Sequence, residues 1–181
     1  MMITSRMNED EERTFIAESV DAVTKACGAK PRGWFGQDQG ESTRTPQRVA
    51  EAGLHYLADW PNDDQPYHMT LDHPLVSMPL QTELDDMQLL WMRQRPTWSY
   101  PAAVEAAATR LAEDGATTRR GRTLNLGLRS WLFGRPHRIR YLDLTLEMLM
   151  RRNDIWQATA GEIASAFSAA VPNNKGGVSK V

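Results

Sequence analysis

The chain has 181 residues and a formal net charge of −2, so it has the length for one domain with a real core and no global electrostatic pull toward nucleic acid or an anionic membrane. No apolar run approaches the ~20 residues of a transmembrane helix, and a single cysteine, Cys27, excludes an intrachain disulfide and a cysteine-rich zinc site. The first residues carry no apolar signal-peptide core, so the expected location is cytoplasmic.

Asn8 opens the first predicted helix, with Glu11 three residues on as capping-box partner and Asp10, Glu11 and Glu12 placed to favour the helix dipole. Phe15, Ile16, Ser19, Val20, Val23 and Cys27 share one helical face, Cys27 as a small packing residue, and Gly28 is placed to end the helix. Residues 29–42 read as a Gly-rich loop. Thr45-Pro46 reads as an N-cap with proline at the first helical position, and Gly53 stops this short helix. A strand is expected over Leu54–Asp59 and a second over Leu75–Leu80, where Pro79 argues for a sheet edge or a strand end. The Met-rich run Leu84–Met92 fits a helix or an irregular segment.

A stronger helix begins at Ser99-Tyr100-Pro101 and should end at Asp114-Gly115. Thr123–Leu128 reads as a strand. Ile139–Arg151 reads as an amphipathic helix with Leu142, Leu146 and Leu149 inward, and Asp154–Ala158 as a strand. Thr159 and Glu162 form a second capping box before the last helix. Residues 1–170 read as one domain and 171–181 as a polar, Gly-rich, disordered tail. Alternating strands and helices argue for parallel β/α architecture. Four strands are too few for a closed barrel, which takes roughly 200 residues or more.

The segment Leu54–Tyr67 concentrates the chemistry. An apolar strand runs into Asp59-Trp60, Asn62-Asp63-Asp64 and Pro66-Tyr67, and β/α folds carry their chemistry at the carboxyl ends of strands. Asp59, Asp63 and Asp64 could bind a hard cation, act as base or orient another group; equally, they could cap loop amides. Trp60 and Tyr67 could wall a pocket or simply pack. None of His55, His68, His73 and His137 pairs at the i, i+4 spacing of a helical zinc site. His137 sits in the turn Gly134–Arg140 that feeds a helix N-terminus, a place suited to anions. No nucleophile elbow and no phosphate loop is visible.

Several blocks in one order resemble the polysaccharide deacetylase-like (NodB-homology) hydrolases, in the branch of allantoinase-like enzymes and cyclic imidases. They are Lys30-Pro31-Arg32-Gly33-Trp34, Thr45 with Ala50-Glu51-Ala52-Gly53, Asp59–Tyr67, Ser77-Met78-Pro79-Leu80 with Glu83 and Asp85, Leu126–Arg140, and Ile155–Thr159 with Gly161-Glu162-Ile163. The resemblance covers about residues 5–167. It implies a partial (β/α) barrel and hydrolysis of non-peptide carbon–nitrogen bonds, in substrates such as N-acetyl sugars, amides and cyclic imides.

In that family an early Asp-Asp pair and a His-x-x-x-His pair supply the base and hold a divalent metal, zinc or similar. Neither motif is present, so the resemblance implies a C-terminal portion that binds no metal by itself. Arg129 stands where the family carries a late-strand histidine, and a guanidinium cannot exchange a proton as an imidazole does. By resemblance Asp59 and Arg129 take the catalytic positions, and Trp34, Trp60, Asp63, Asp64, Tyr67 and His137 the substrate pocket. Two expectations follow. The chain is a truncated hydrolase, inactive alone and completed by an N-terminal segment. Alternatively it is a non-catalytic assembly module whose open strand edges pair with a second copy or a partner's barrel.

Overall fold

The structure, a computed structural model, describes residues 4–173. The expected disordered tail lies, from residue 174 on, outside the described residues. The chain divides into two compact units. One comprises the described parts of Met1–Trp60 and Ala158–Val181 together with Pro66–Met78; the other comprises Pro61–Gln65 and Pro79–Gln157.

In the first unit, helix α1 (Glu9–Cys27) begins as its capping box dictates. The Asn8 side chain accepts from the Glu11 amide at 3.0 Å, and the Glu11 carboxylate accepts from the Asn8 amide at 2.9 Å. Gly28, at φ 71°, closes the helix in the left-handed conformation glycine favours. Ile16 and Val20 are buried, but Val23 and Cys27 are exposed. The core under α1 ends at Val20, so Cys27 is not the packing residue expected.

Glu12 is the larger surprise. It is fully buried, accepts from Ser42 Oγ at 2.8 and 2.9 Å and from Thr45 Oγ1, and pairs with Arg44 at 3.4 Å. This carboxylate ties α1 to the start of α2 (Thr45–Glu51). Thr45, expected as the N-cap, lies inside the helix because its hydroxyl is engaged with Glu12; Arg44 takes the cap position.

Four two-residue strands form a sheet in the order β1-β2-β4-β3, where β1 is Gly33–Trp34, β2 Tyr56–Leu57, β3 Tyr67–His68 and β4 Val76–Ser77. The β1–β2 and β2–β4 pairs are parallel and the β3–β4 pair is antiparallel, so the fold is mixed α/β with a mostly parallel sheet. The strand expected over 54–59 is β2. The strand expected over 75–80 is β4, but it lies inside the sheet, and Pro79 falls beyond its end. Strand β1 falls in the segment read as a Gly-rich loop and β3 in a stretch given no element, because two residues carry no alternation to read. Ile16, Val20, Val49, Leu54, Leu57 and Leu75 form one core; Val76, Met78 and Ala164 of α6 (Ala160–Ala170) form another. The Thr159–Glu162 capping box opens α6 as expected.

In the second unit, the Met-rich run becomes a 3-10 turn (Thr82–Leu84) and a π-helical segment (Met87–Met92). Helix α3 (Tyr100–Thr118) runs through Asp114-Gly115 and ends only at Arg119, which takes the left-handed conformation at φ 55°. A short α4 (Ser130–Phe133) precedes α5 (Ile139–Met150), which packs on α3. Val104, Leu132 and Phe133 are buried here, with Tyr100 edge-on to Phe133 at 4.7 Å. Leu142 and Leu149 pack against this core as expected; Leu146 is exposed, and Thr145 is buried, bonded to the Tyr141 carbonyl.

The strand expected over 123–128 does not form. Its polar groups are met by single contacts instead of a ladder: the Gln81 side chain donates to the Thr123 carbonyl and accepts from the Asn125 amide, and the Asp64 carbonyl accepts from Thr123. Residues 154–158 are likewise irregular. Among the described residues no helix is long and apolar enough to cross a membrane.

Replacing Glu12 by alanine should leave the Ser42 and Thr45 hydroxyls without their acceptor. We expect a loss of about 3 kcal/mol in urea-unfolding experiments, against a negligible change for Glu18→Ala on the exposed part of the same helix.

Candidate functional site

Residues 55–58 are held on both sides by main-chain bonds. His55 and Ala58 amides reach the carbonyls of Arg32 and Trp34 at 2.7 and 3.0 Å; Val76 and Met78 amides reach the carbonyls of His55 and Leu57 at 3.0 and 2.7 Å. Asp59 follows immediately, at the carboxyl end of β2, and is 3% exposed. Both its carboxylate oxygens accept from the Gly36 amide, at 2.7 and 3.0 Å. A Cβ at position 36 would lie 2.8 Å from Asp59 Oδ2, so this close approach requires glycine.

Asp59 has a partner that the sequence did not point to. Glu41 lies against it, carboxyl to carboxyl, while Trp60 donates its indole N–H to Glu41 Oε2 at 2.6 Å. Burial pushes Glu41 up to about 8, and the hydrogen bond with the Asp59 carboxyl adds to the rise. Burial also raises Asp59. Two carboxyls in contact cannot both ionise cheaply, so at neutral pH the pair retains one proton and can donate or accept it.

Glu41 Oε1 and Trp34 Nε1 are buried without hydrogen-bond partners. Trp34 Nε1 also lies 3.3 Å from where a Cβ of residue 36 would sit. An unpaired donor and an unpaired acceptor thus border the Asp59 carboxylate. Such an arrangement accommodates a small polar molecule. Nothing in the spacing of Glu41, within a Gly-rich loop, marks it in advance.

Trp60 is partly exposed beside Glu41, and Tyr67 lies in β3, paired with Ser77. Asp63 and Asp64 belong to the second unit. The Asp63 carboxylate caps the amides of Asp64 and Gln65 at 2.7 and 3.1 Å, which is the loop-capping role open to it from sequence. Asp64 pairs with Arg122 at 3.3 Å, and burial raises its pKa.

Arg129, also in the second unit, is held by two acids. Its Nη1 donates to Asp85 Oδ1 at 2.5 Å and to Asp86 Oδ1 at 2.8 Å, and its amide donates to Asp86 Oδ2 at 2.7 Å. Hydrogen bonding to Asp85 raises the guanidinium further above its ordinary value. Asp86 is fully buried, and Gly127 makes room for Asp85: a Cβ there would lie 2.4 Å from Asp85 Oδ2. His137 lies in the exposed turn before α5.

Among the described residues no three His, Cys, Asp or Glu side chains converge as metal ligands. These residues therefore do not form a donor set for the divalent ion that the resemblance implies, and no chemistry is assigned through one.

Two outcomes follow from this geometry. From about pH 4.5 to about 8 the unfolded chain releases the Glu41 proton while the folded chain keeps it, so folding stability falls as pH rises across that window. Glu41→Gln, which removes one ionisable group from the pair, should flatten the dependence of melting temperature on pH there and raise stability at pH 8 relative to wild type. Separately, Arg129→Ala should cost about 2 kcal/mol by leaving buried Asp86 with only an amide donor, with Arg129→Lys intermediate, both read by urea denaturation.

No protein-family model matches the chain. A Schizosaccharomyces pombe protein named as a polysaccharide deacetylase is 28% identical over 183 aligned positions, 90% of this chain and 56% of its own length. Among solved structures, a Pseudomonas aeruginosa protein named as a polysaccharide deacetylase and the Puue allantoinase each superpose with a TM-score of 0.84 at 25% identity, over 94% of this chain and 57% of theirs. A Mycobacterium smegmatis protein shares the fold at 23% identity and a TM-score of 0.78. The chain thus spans a little over half the length of the proteins it matches. By sequence and by fold the chain is similar to polysaccharide deacetylase and allantoinase proteins, over a part of their length.

Proposed function

We propose that this chain is a C-terminal portion of a hydrolase acting on a non-peptide carbon–nitrogen bond, and that it does not turn over substrate alone. The observation that carries this reading is the superposition of 94% of the chain on both a protein named as a polysaccharide deacetylase and an allantoinase. A substrate with an amide, imide or N-acetyl group is in keeping with both names. In this reading the Asp59–Glu41 pair supports the reacting groups with a proton held in reserve, while residues of a complementing N-terminal segment would hold a divalent metal, which would supply an activated water. Arg129, neutralised by Asp85 and Asp86, orders its loop and does not replace a titrating imidazole. A cytoplasmic location belongs to the same proposal and rests on the lone Cys27, which permits no internal disulfide.

A second reading, the non-catalytic assembly module, is favoured by the sheet itself. Strands β1 and β3 each have a neighbour on one side only among the described residues, and an open edge can pair with another chain.

One sample tests both readings. The chain is assayed on allantoin and on an N-acetylated chito-oligosaccharide, with and without added zinc or manganese, and then sedimented at micromolar concentration. We expect no turnover above background and a monomer, with turnover gained when the N-terminal segment of the Schizosaccharomyces pombe relative is supplied. A stable, inactive dimer that the added segment does not activate supports the assembly module. Metal-dependent turnover by the chain alone overturns both.

A further inference from the structure

We infer that the second unit carries a binding pocket for a small organic anion with a flat apolar body, formed where the chain after the π-helical segment meets the start of α5. A cavity of about 580 Å³ lies there, lined by Leu90, Trp91, Arg95, Thr97, His137 and Arg138 among others, with no acidic side chain in its wall. The inference does not rest on the proposed hydrolytic function.

The charge of this pocket is uncompensated. Neither Arg95 nor Arg138 makes an ion pair among the described residues, whereas Arg122, Arg129 and Arg152 of the same unit each do. Arg138 reaches only the Leu132 carbonyl, at 3.4 Å, and its Nε is buried without a hydrogen-bond partner. A buried guanidinium N–H left unpaired is costly, and an oxyanion in the cavity would satisfy it. Arg138 is also the N-cap residue of α5, whose first turn holds no acidic residue that could pair with it.

The apolar half of the pocket is equally specific. Trp91 is 57% exposed and stands edge-on to Trp131, with ring centroids 5.6 Å apart. An exposed indole beside two forked cations suits a planar body ending in a carboxylate: the body lies on the ring, and the carboxylate meets the guanidinium groups in bidentate fashion. A bare inorganic anion would use only half of this surface.

The test titrates the folded chain with benzoate, benzamide and inorganic phosphate by isothermal calorimetry. Benzoate should bind saturably, about tenfold or more tighter than neutral benzamide, and also more tightly than phosphate. Arg138→Gln should lower benzoate affinity by a similar factor. Arg95→Gln, a change at an exposed residue that the core does not need, should do the same if Arg138→Gln perturbs folding. Equal binding of benzoate and benzamide, phosphate binding as tightly as benzoate, no saturable binding, or affinity unchanged in the Arg95 variant would each overturn the assignment.

Discussion

Strands of two residues cannot hold a sheet together by their ladders alone. In the first unit the organising constraint is the extended segment 54–59, bonded on one side to Arg32 and Trp34 and on the other to Val76 and Met78. Leu54 and Leu57 are buried from the same segment, so hydrogen bonding and apolar burial fix one register together. A one-residue slip would move Leu57 and Asp59 off their buried face and break both ladders. Asp59 is placed by this segment because it follows directly on the bonded residues 55–58.

Buried carboxylates are the second theme, and the chain satisfies each differently. Glu12 is surrounded by hydroxyls and one arginine. Asp86 takes the Arg129 amide and guanidinium. Both arrangements tie separate segments together and are structural in character. Asp59 is met by a backbone amide and by a second carboxyl, with no cation at ion-pair distance among the described residues. That arrangement favours a retained proton, which sets it apart from the other two and is the reason to locate chemistry at this site.

Much of the architecture was legible where local physics decides it. Asn8 with Glu11 and Thr159 with Glu162 fixed two helix starts, and Gly28 one helix end, because capping involves residues three or four apart. The apolar runs at 54–59 and 75–80 marked the two interior strands. Failures came where the decision was remote. Thr123–Leu128 has strand composition but meets Gln81 and Asp64 instead of a neighbouring strand, and Asp114-Gly115 reads as a stop that α3 passes through. For the site, Asp59 and Trp60 were marked by their place at a strand end, yet Asp63 caps its own loop and Arg129 is neutralised by Asp85 and Asp86.

The sequence by itself determined the alternation of helical and extended segments, the caps, the absence of disulfides and the family resemblance, since these follow from spacing, composition and short-range hydrogen bonding. Tertiary structure alone decided which acids are buried and what meets them. Glu12 looks like a helix-dipole residue and becomes a buried tie; Glu41 looks like a loop residue and becomes the partner of Asp59. Burial and the pairing of charges depend on contacts between segments tens of residues apart. No local pattern encodes the dielectric in which a carboxyl group will sit.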